Sequence, residues 1–495
     1  GGVGGAAYIR SRFTPDTTPG PGEDGEIVTV AEGQLQGTIN DGIYRYLGVP
    51  YAEAAERFVI AGPVTPWEGV LKADSYGPMS PQGSMLGFGA GNQDGTDNNC
   101  QNLNIWTPGL NDGGLRPVLV WLHGGGFSTG TANDSSYDGE ALAKNGDVVV
   151  VSVNHRLNVF GYLDLSAYDE KYKDSANVGM WDIIAALEWI QQNIEVFGGD
   201  PDNVTVFGQS GGGAKVLGLM STPYAVGLFH KGIVESGVTE TVGVNFTSQE
   251  ASTRLAENLL AELNIAPENI EQLQIVAVDK LQSAATKALD ATAQEFQIPA
   301  PLTDGYQMEW EPVVDGDFLP TSPVTETNFA DAGQDIPLLI GSNLNEWTGF
   351  YRTSTDGVDT DALSAALKTA YPDKTDLTAD HVDTLIRLPI LKTMSHKADQ
   401  NGAPVYAYLL TYGSSNHGAE IPYIFRHSDV SAMNDLFSSI WVNFARSGVP
   451  SADSLPTWEP YTREGGATML LDTTSQLVYH HDAALLKLLA PDYEY

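Results

Sequence analysis

Six short apolar runs constrain the fold of this chain more than any other feature of its sequence. Continuous apolar runs of four to six residues are typical of strands that are buried on both faces of a sheet. Helical stretches separate the runs, so we predict an α/β fold with a large, mostly parallel central sheet flanked by helices. The runs are 118–122, 148–153, 204–207, 232–236, 337–340 and 405–410.

Periodic patterns elsewhere add helices and a hairpin region to this sheet. Residues 251–294 are rich in Ala, Leu, Glu and Gln, which predicts two or more helices. Residues 27–49 alternate apolar and polar positions around a turn at 40–42, which predicts a small N-terminal antiparallel hairpin region. Another helix is predicted where apolar residues recur at helical spacing, at Met180, Ile183, Ile184, Leu187, Ile190 and Ile194.

The domain organisation follows from the absence of repeats and long linkers. Residues 1–25 are rich in Gly and Pro and predict a flexible N-terminal arm. We expect residues 26–495 to form a single catalytic domain, with helical insertions near 245–335 and 355–400. No apolar run reaches about 18 residues, so no membrane anchor is predicted. The chain starts at Gly1 rather than Met, which we interpret as the removal of a leader or a trimming of the chain.

The charge balance limits the partners of the chain. With 25 basic and 63 acidic residues its formal net charge is −38, which would repel nucleic acid and anionic membranes. Two interpretations remain open: a surface suited to an acidic medium, or a field that steers cationic substrates.

Secretion is expected because the chain carries glycosylation sequons. Disulfides give no support for it, since Cys100 is the single cysteine of the chain and no intrachain disulfide can form. Asn133 and Asn245 are possible glycosylation sites, whereas the sequon at Asn203 precedes a predicted buried strand.

Ser210 is the candidate nucleophile, at the centre of Gly208-Gln209-Ser210-Gly211-Gly212. A serine hydroxyl is a poor nucleophile at neutral pH and needs exposure, a base and a site for the developing oxyanion. Gly-x-Ser-x-Gly directly after a buried strand gives that exposure through a sharp, strained turn. The alternative is a glycine-rich turn with an incidental serine, since the chain has 53 glycines.

A second glycine motif, His123-Gly124-Gly125-Gly126-Phe127, follows the first apolar run. Consecutive glycines let N–H groups point into a site without Cβ obstruction, so this loop and the N–H of Gly211 can bind an oxyanion. A phosphate-binding loop is the alternative, but the Lys-Ser/Thr ending of a P-loop is missing.

The base and the acid are predicted from chain order, which in α/β-hydrolases is Ser, acid, His. Of the histidines after Ser210, only His417 sits just past a strongly predicted strand. Glu346 follows strand 337–341 and fits the acid. A solvated surface charge is the alternative for a single Glu, but position and order favour the acid role.

At this point the chain resembles the type-B carboxylesterase/lipase family, the cholinesterase-like α/β-hydrolases, over roughly residues 25–490. The resemblance implies an α/β-hydrolase fold, Ser210 as nucleophile, His417 as general base and acid, and Glu346 as the acid that orients it. It also implies that Gly125, Gly126 and Gly211 donate to the oxyanion and that Ser236 lies near the acid. The matching motifs are 46–52, 103–106, 123–127, 154–156, 197–201, 208–212, 235–237, 343–346, 417–418 and 441–445.

The departures from the family bear on the substrate. Ser80 stands where the family places a cysteine bridged to the one that matches Cys100, Gln209 stands where Glu is usual, and Gly211 replaces an alanine. Residues 82–99 are polar and glycine-rich, so a large hydrophobic lid is not expected.

We therefore predict a secreted serine carboxylesterase that hydrolyses small-molecule esters through an acyl-enzyme, with soluble or short-acyl esters preferred to long-chain lipids. No metal or organic cofactor is implied, and the sequence carries no signal for an oligomeric state. A lipase or sterol esterase of the same family is the alternative. A non-catalytic adhesion or binding protein is disfavoured because all three triad positions are filled.

Overall fold

The structure is a computed structural model that describes residues 22–83, 93–241, 244–347 and 349–495. Most of the expected N-terminal arm and the centre of the 82–99 segment lie outside the described residues. Residues 23–25, which we expected in the arm, instead begin the first strand, because Glu23 and Asp24 pair with Ile39 and Thr38 of the second.

The strands of the described residues are β1 Glu23–Val30, β2 Gly33–Asn40, β3 Ile43–Pro50, β4 Val70–Lys72, β5 Asn102–Thr107, β6 Arg116–Leu122, β7 Val149–Val153, β8 Gly199–Gln209, β9 Lys231–Glu235, β10 Glu240–Thr241, β11 Val244–Asn245, β12 Thr247–Ser248, β13 Val313–Val314, β14 Leu338–Asn343, β15 Val405–Leu410, β16 Ala467–Leu471 and β17 Gln476–Tyr479. The α-helices are α1 Glu140–Gly146, α2 Asn158–Tyr162, α3 Val178–Asn193, α4 Gly211–Leu219, α5 Gln249–Leu263, α6 Val278–Phe296, α7 Thr360–Ala370, α8 Arg387–Asp399, α9 Ile421–Ile424, α10 Ser431–Ser447 and α11 Ala483–Leu489.

One large sheet organises the molecule, in the order β1-β2-β3-β5-β7-β6-β8-β9-β14-β15-β16-β17, with β4 beside β2. The pairs from β7–β6 to β15–β16 are parallel, and those from β1 to β7 and at β16–β17 are antiparallel. The predicted α/β-hydrolase fold, with its mostly parallel sheet and N-terminal antiparallel region, is confirmed.

The six apolar runs became β6, β7, β8, β9, β14 and β15 because each of these strands is covered on both faces. All residues of β7, β14 and β15 are buried. One apolar cluster contains Ile183 and Leu187 of α3, and another contains Phe437 and Trp441 of α10. None of the helices in the described ranges is long and apolar enough to cross a membrane.

Parallel pairing brings the important loops to one edge of the sheet. Leu122 at the end of β6 pairs with Gly208 of β8, and Gln209 pairs with Glu235 at the end of β9. The segments after β6, β8, β9, β14 and β15 therefore leave the sheet at its carboxyl edge, where ligands bind in open α/β sheets.

A buried ion pair joins three segments under this edge. Arg156, just after β7, donates from Nη2 to Asp182 Oδ1 at 2.8 Å and from Nε to Oδ2 at 2.9 Å, and both side chains are fully buried. Asp182 of α3 also accepts from Gln101 Nε2 at 3.1 Å. Nearby, Cys100 is buried and free, and Ser80 Oγ accepts from Leu157 N at 3.0 Å.

Replacing Asp182 by Asn should destabilise the protein strongly, because Arg156 would remain buried without its counter-ion. Breaking a buried pair in this way costs about 3–5 kcal/mol of unfolding free energy. Urea unfolding followed by tryptophan fluorescence measures the loss. Glu295→Gln is the matched control, since Glu295 pairs with Arg254 on the surface, where such pairs contribute little. Equal unfolding midpoints for the two variants would contradict this account.

Candidate active site

Ser210 lies in a strained turn between β8 and α4. Its backbone has φ 57° and ψ −120°, a conformation that non-glycine residues rarely adopt. Ser210 N donates to Glu235 O at 2.8 Å, and Ser210 O accepts from Ala214 N at 3.1 Å. The turn is possible because Gly212 has no side chain: a Cβ there would collide with the Leu122 carbonyl.

Glu346 and His417 come together in the segments that follow β14 and β15. His417 Nδ1 lies 2.7 Å from Glu346 Oε2, and His417 N donates to Glu346 O at 2.8 Å. The second carboxylate oxygen, Oε1, accepts from Ser236 Oγ and from Asn343 N, the latter at 2.9 Å. The acid is therefore held at both oxygens, and its contact with Nδ1 leaves Nε2 of His417 as the nitrogen suited to accept a proton.

The electrostatics around Glu346 favour one negative charge beside the imidazole. Burial raises the pKa of the Glu346 carboxyl, and the hydrogen bonds from Ser236 and Asn343 oppose that rise. The pKa values of Asp383 and Glu420 are raised by burial and then by the charge of Glu346. A charged Glu346 disfavours charge on both neighbours, and its contact with His417 and the two hydrogen bonds donated to it favour the charged form of Glu346 itself.

The glycine loop after β6 reaches the same turn. A Cβ on Gly124 would lie 3.5 Å from Ser210 Cβ, and a Cβ on Gly211 would collide with the backbone of Gly126. Gly125 and Gly126 have φ of 95° and 59°, which glycine adopts without strain. The structure thus brings the predicted donors Gly126 and Gly211 into contact, with Gly125 adjacent in the chain.

The remaining predicted residues also lie at this edge. Gln209 is buried at the end of β8, and its Oε1 would lie 3.1 Å from a Cβ on Gly124. Ser236 follows β9 with a positive φ of 53°, and its N donates to Gly341 O at 2.8 Å, which orients its hydroxyl toward Glu346.

Two residues of the site were missed from the sequence. Trp347, next to Glu346, is buried and stacks on His417 with ring centroids 4.4 Å apart and 28° between the planes. Lys215 of α4 is fully buried and donates from Nζ to His123 O at 2.9 Å. The available signal for Trp347 was its position beside the predicted acid. For Lys215 it was a lone lysine in the otherwise uncharged helix GGGAKVLGL.

The two candidate glycosylation sites differ in the structure. Asn133 is buried: its Nδ2 donates to Gly77 O at 2.9 Å, and its Oδ1 accepts from Asn154 Nδ2 at 2.9 Å. This leaves no room for a glycan on the folded chain, which corrects the expectation for Asn133. Asn245 is exposed. Over the described part of the chain, no group of three His, Cys, Asp or Glu side chains could hold a metal ion.

The chain is similar to known esterases over most of its length. Residues 24–379 and 362–485 match the family model described as Carboxylesterase family. The para-nitrobenzyl esterase of Bacillus subtilis (strain 168) is 33% identical over 486 residues, which cover 90% of this chain and 95% of that protein. Liver carboxylesterase of Sus scrofa is 31% identical over 493 residues, which cover 85% of this chain and 84% of that protein.

The chain is also similar to a solved esterase structure. An esterase from anaerobic Clostridium hathewayi, described as able to hydrolyse aliphatic aromatic polyesters, superposes with a TM-score of 0.82 at 32% sequence identity. The match covers 97% of this chain and 100% of that one.

Gly211→Ala should lower ester turnover in this chain, although the resembled family carries alanine at this position. The new Cβ would collide with Gly126, so the glycine loop must shift and carry its N–H groups out of position. Losing one such donor costs about 10²-fold or more in kcat, so we expect a fall of roughly 10–100-fold for a partial shift. Steady-state kinetics measure it, with Gly62→Ala as control because a Cβ there meets almost nothing. A Gly211→Ala enzyme with unchanged kcat would show that the loop tolerates the methyl group.

Proposed function

The chain belongs to the carboxylesterase family and is a carboxylic ester hydrolase, and on this premise we propose that it is a serine esterase whose nucleophile is Ser210. The observation that carries the proposal is the 2.7 Å contact between His417 Nδ1 and a Glu346 carboxylate that is itself held by two donors. This arrangement orients an imidazole at the edge of the sheet where Ser210 occupies its strained turn.

In the acylation step, His417 Nε2 accepts the Ser210 hydroxyl proton while Oγ forms a bond to the ester carbonyl carbon. The carbonyl oxygen becomes an oxyanion that accepts from the N–H groups of the glycine loop and Gly211. When the tetrahedral intermediate collapses, the bond to the alcohol oxygen breaks and the imidazolium gives that oxygen its proton. The alcohol leaves an acyl-enzyme on Ser210.

Water repeats the sequence in the deacylation step. His417 takes a proton from water, the hydroxide oxygen bonds to the acyl carbon, and the same N–H groups bind the second oxyanion. The proton then passes to Ser210 Oγ as the acid product leaves. The Glu346 carboxylate stabilises the imidazolium in both steps, and the Trp347 ring face, 4.4 Å away, adds a cation–π contribution.

Ser210→Ala should reduce ester turnover by about 10³-fold or more, because the attacking oxygen is removed. A p-nitrophenyl ester assay measures the loss, and an organophosphonate probe should form a covalent adduct on Ser210 of the native enzyme only. Ser221→Ala is the matched control, since its hydroxyl donates to Leu217 O in the same helical region. Near-normal turnover by Ser210→Ala, or an adduct elsewhere, would refute the assignment.

We also propose that soluble or short-acyl esters are preferred to long-chain lipids. The support is the polar, glycine-rich composition of residues 82–99, of which 84–92 lie outside the described residues. The names of two relatives, which mention para-nitrobenzyl and aliphatic aromatic polyesters, suggest that an aromatic group is accepted near the ester. A lipase of the same family is the competing candidate.

An ester series separates these two candidates. We expect kcat/KM for p-nitrophenyl butyrate to exceed that for the palmitate, with no jump in rate as the substrate passes its solubility limit. An aliphatic–aromatic oligoester belongs in the same series. A sharp rise at the lipid interface would favour the lipase instead. Secretion, for which the exposed Asn245 sequon is the remaining support, stays a prediction.

A further inference from the structure

Lys215 is a buried cation directly behind the glycine loop. It lies on α4, just over one turn past Ser210, and its side chain is fully buried. Its Nζ donates to His123 O at 2.9 Å and lies 5.4 Å from the centre of the Phe127 ring. The lysine therefore touches the first and last residues of the His123–Phe127 segment.

The surroundings of Lys215 provide no counter-ion. No carboxylate of the described residues forms an ion pair with Nζ. A buried ammonium without a carboxylate destabilises a fold, so its presence beside a candidate site points to a role other than stability.

Hydrogen bonds connect Lys215 to the peptide that carries Gly124 N–H, and connect the His123 ring to the peptide that carries Gly125 N–H, a predicted oxyanion donor. Its ammonium binds the carbonyl of His123, and the His123 ring donates from Nδ1 to Gly124 O at 2.7 Å. Gly124 O belongs to the peptide whose N–H is that of Gly125. Each donor that binds the carbonyl side of a peptide polarises its N–H, and a nearby positive charge adds to the effect in a dry environment.

We propose that Lys215 is a positioning residue of the ester hydrolase: it fixes the glycine loop through His123 and places a positive charge behind the oxyanion. This rests on the proposed function, since the loop is assigned to the oxyanion there. The lysine touches no reacting atom. It acts through the peptide groups of the loop, and its effect is greatest when the substrate carbonyl oxygen carries its full charge.

The charge of Lys215 depends on pH. Burial lowers the pKa of Lys215 to about 7, so the side chain is about half charged at neutrality, becomes fully charged as pH falls and loses its charge as pH rises. The titratable groups that face it are His123 and His155, which stack 5.0 Å apart and whose pKa values are lowered by burial and then by Lys215. Both rings are therefore neutral where Lys215 titrates. The kcat should fall on the alkaline side as Lys215 loses its proton.

Lys215→Met tests the role, because methionine keeps the apolar stem over Phe127 and removes the charge. We expect kcat to fall by roughly 10–100-fold with little change in KM, since the interaction strengthens in the transition state. The affinity of an aryl trifluoromethyl ketone, which forms an oxyanion on the serine, should fall by the same factor. The alkaline limb of the kcat profile should disappear.

Lys397→Met is a matched control on α8. Lys397 is also buried, donates from Nζ to Gly333 O at 2.9 Å, lies 5.5 Å from the Phe329 ring and has its pKa lowered to about 8 by burial. It contacts no residue of the glycine loop. The same substitution there should leave kcat, the ketone affinity and the alkaline limb unchanged.

Thermal unfolding separates positioning from a merely structural role. The lowered pKa means that the unfolded chain binds the proton more tightly, so Lys215 destabilises the fold most below pH 7 and not at all above about pH 10.5. Lys215→Met should therefore melt at the same or a higher temperature than the native enzyme at pH 6, with a difference that narrows as pH rises. A lower melting temperature together with lost activity would assign Lys215 to structure and overturn the proposal.

The remaining outcomes are distinguishable. If an organophosphonate does not label Ser210 of the native enzyme, the proposed function fails whatever Lys215 does. If labelling succeeds and Lys215→Met keeps the native kcat and pH profile, only the Lys215 proposal falls. Should the methionine variant not fold, Lys215→Gln carries the test, because it keeps a donor without the charge: it must lose the alkaline limb and part of the kcat.

Discussion

The backbone contact between Gly212 and Leu122 is the constraint on which the rest of the site depends. No side chain fits between α4 and the end of β6, so the two segments close onto each other. This contact holds Ser210 in its left-handed turn and seats the glycine loop against Gly211. The Glu346–His417 pair reaches the same place from β14 and β15 because the strands are parallel and end together. The positions of Ser210, the glycine loop and the Glu346–His417 pair therefore depend on how the strands of the whole sheet pack together.

Charge is distributed very differently inside and outside the molecule. The surface carries most of an acidic excess that gives a formal net charge of −38, whereas the interior near the site is built from a few charges with defined partners. Arg156 and Asp182 neutralise each other, and Glu346 is held by two donated hydrogen bonds and by its contact with the His417 imidazole. Lys215 is the exception, since its partners are a carbonyl and a ring face. The substrate oxyanion would be its transient counter-charge.

The strands and the candidate triad could be predicted because their signals are local. An apolar run such as Val405–Leu410 predicts a strand buried on both faces without knowledge of its neighbours in the sheet. A serine flanked by glycines directly after a strand can likewise be identified from the adjacent sequence. Burial created by distant segments could not be predicted in this way. Asn133 satisfies the sequon pattern, yet Gly77 and Asn154 enclose it. From the sequence, Lys215 is an ordinary helix residue. Its neighbours along the chain give no sign that it donates to His123 O, 92 residues away.

Ser80 and Cys100 show how one position of the fold is fixed without covalent chemistry. Where the resembled family joins these positions by a bridge, Ser80 accepts from Leu157 N, and the adjoining Gln101 is tied through Asp182 to Arg156. These links form by collapse alone, so folding involves no thiol oxidation and no reshuffling of wrong pairs. Because the chain has one cysteine, a reductant such as dithiothreitol has no intrachain disulfide to break.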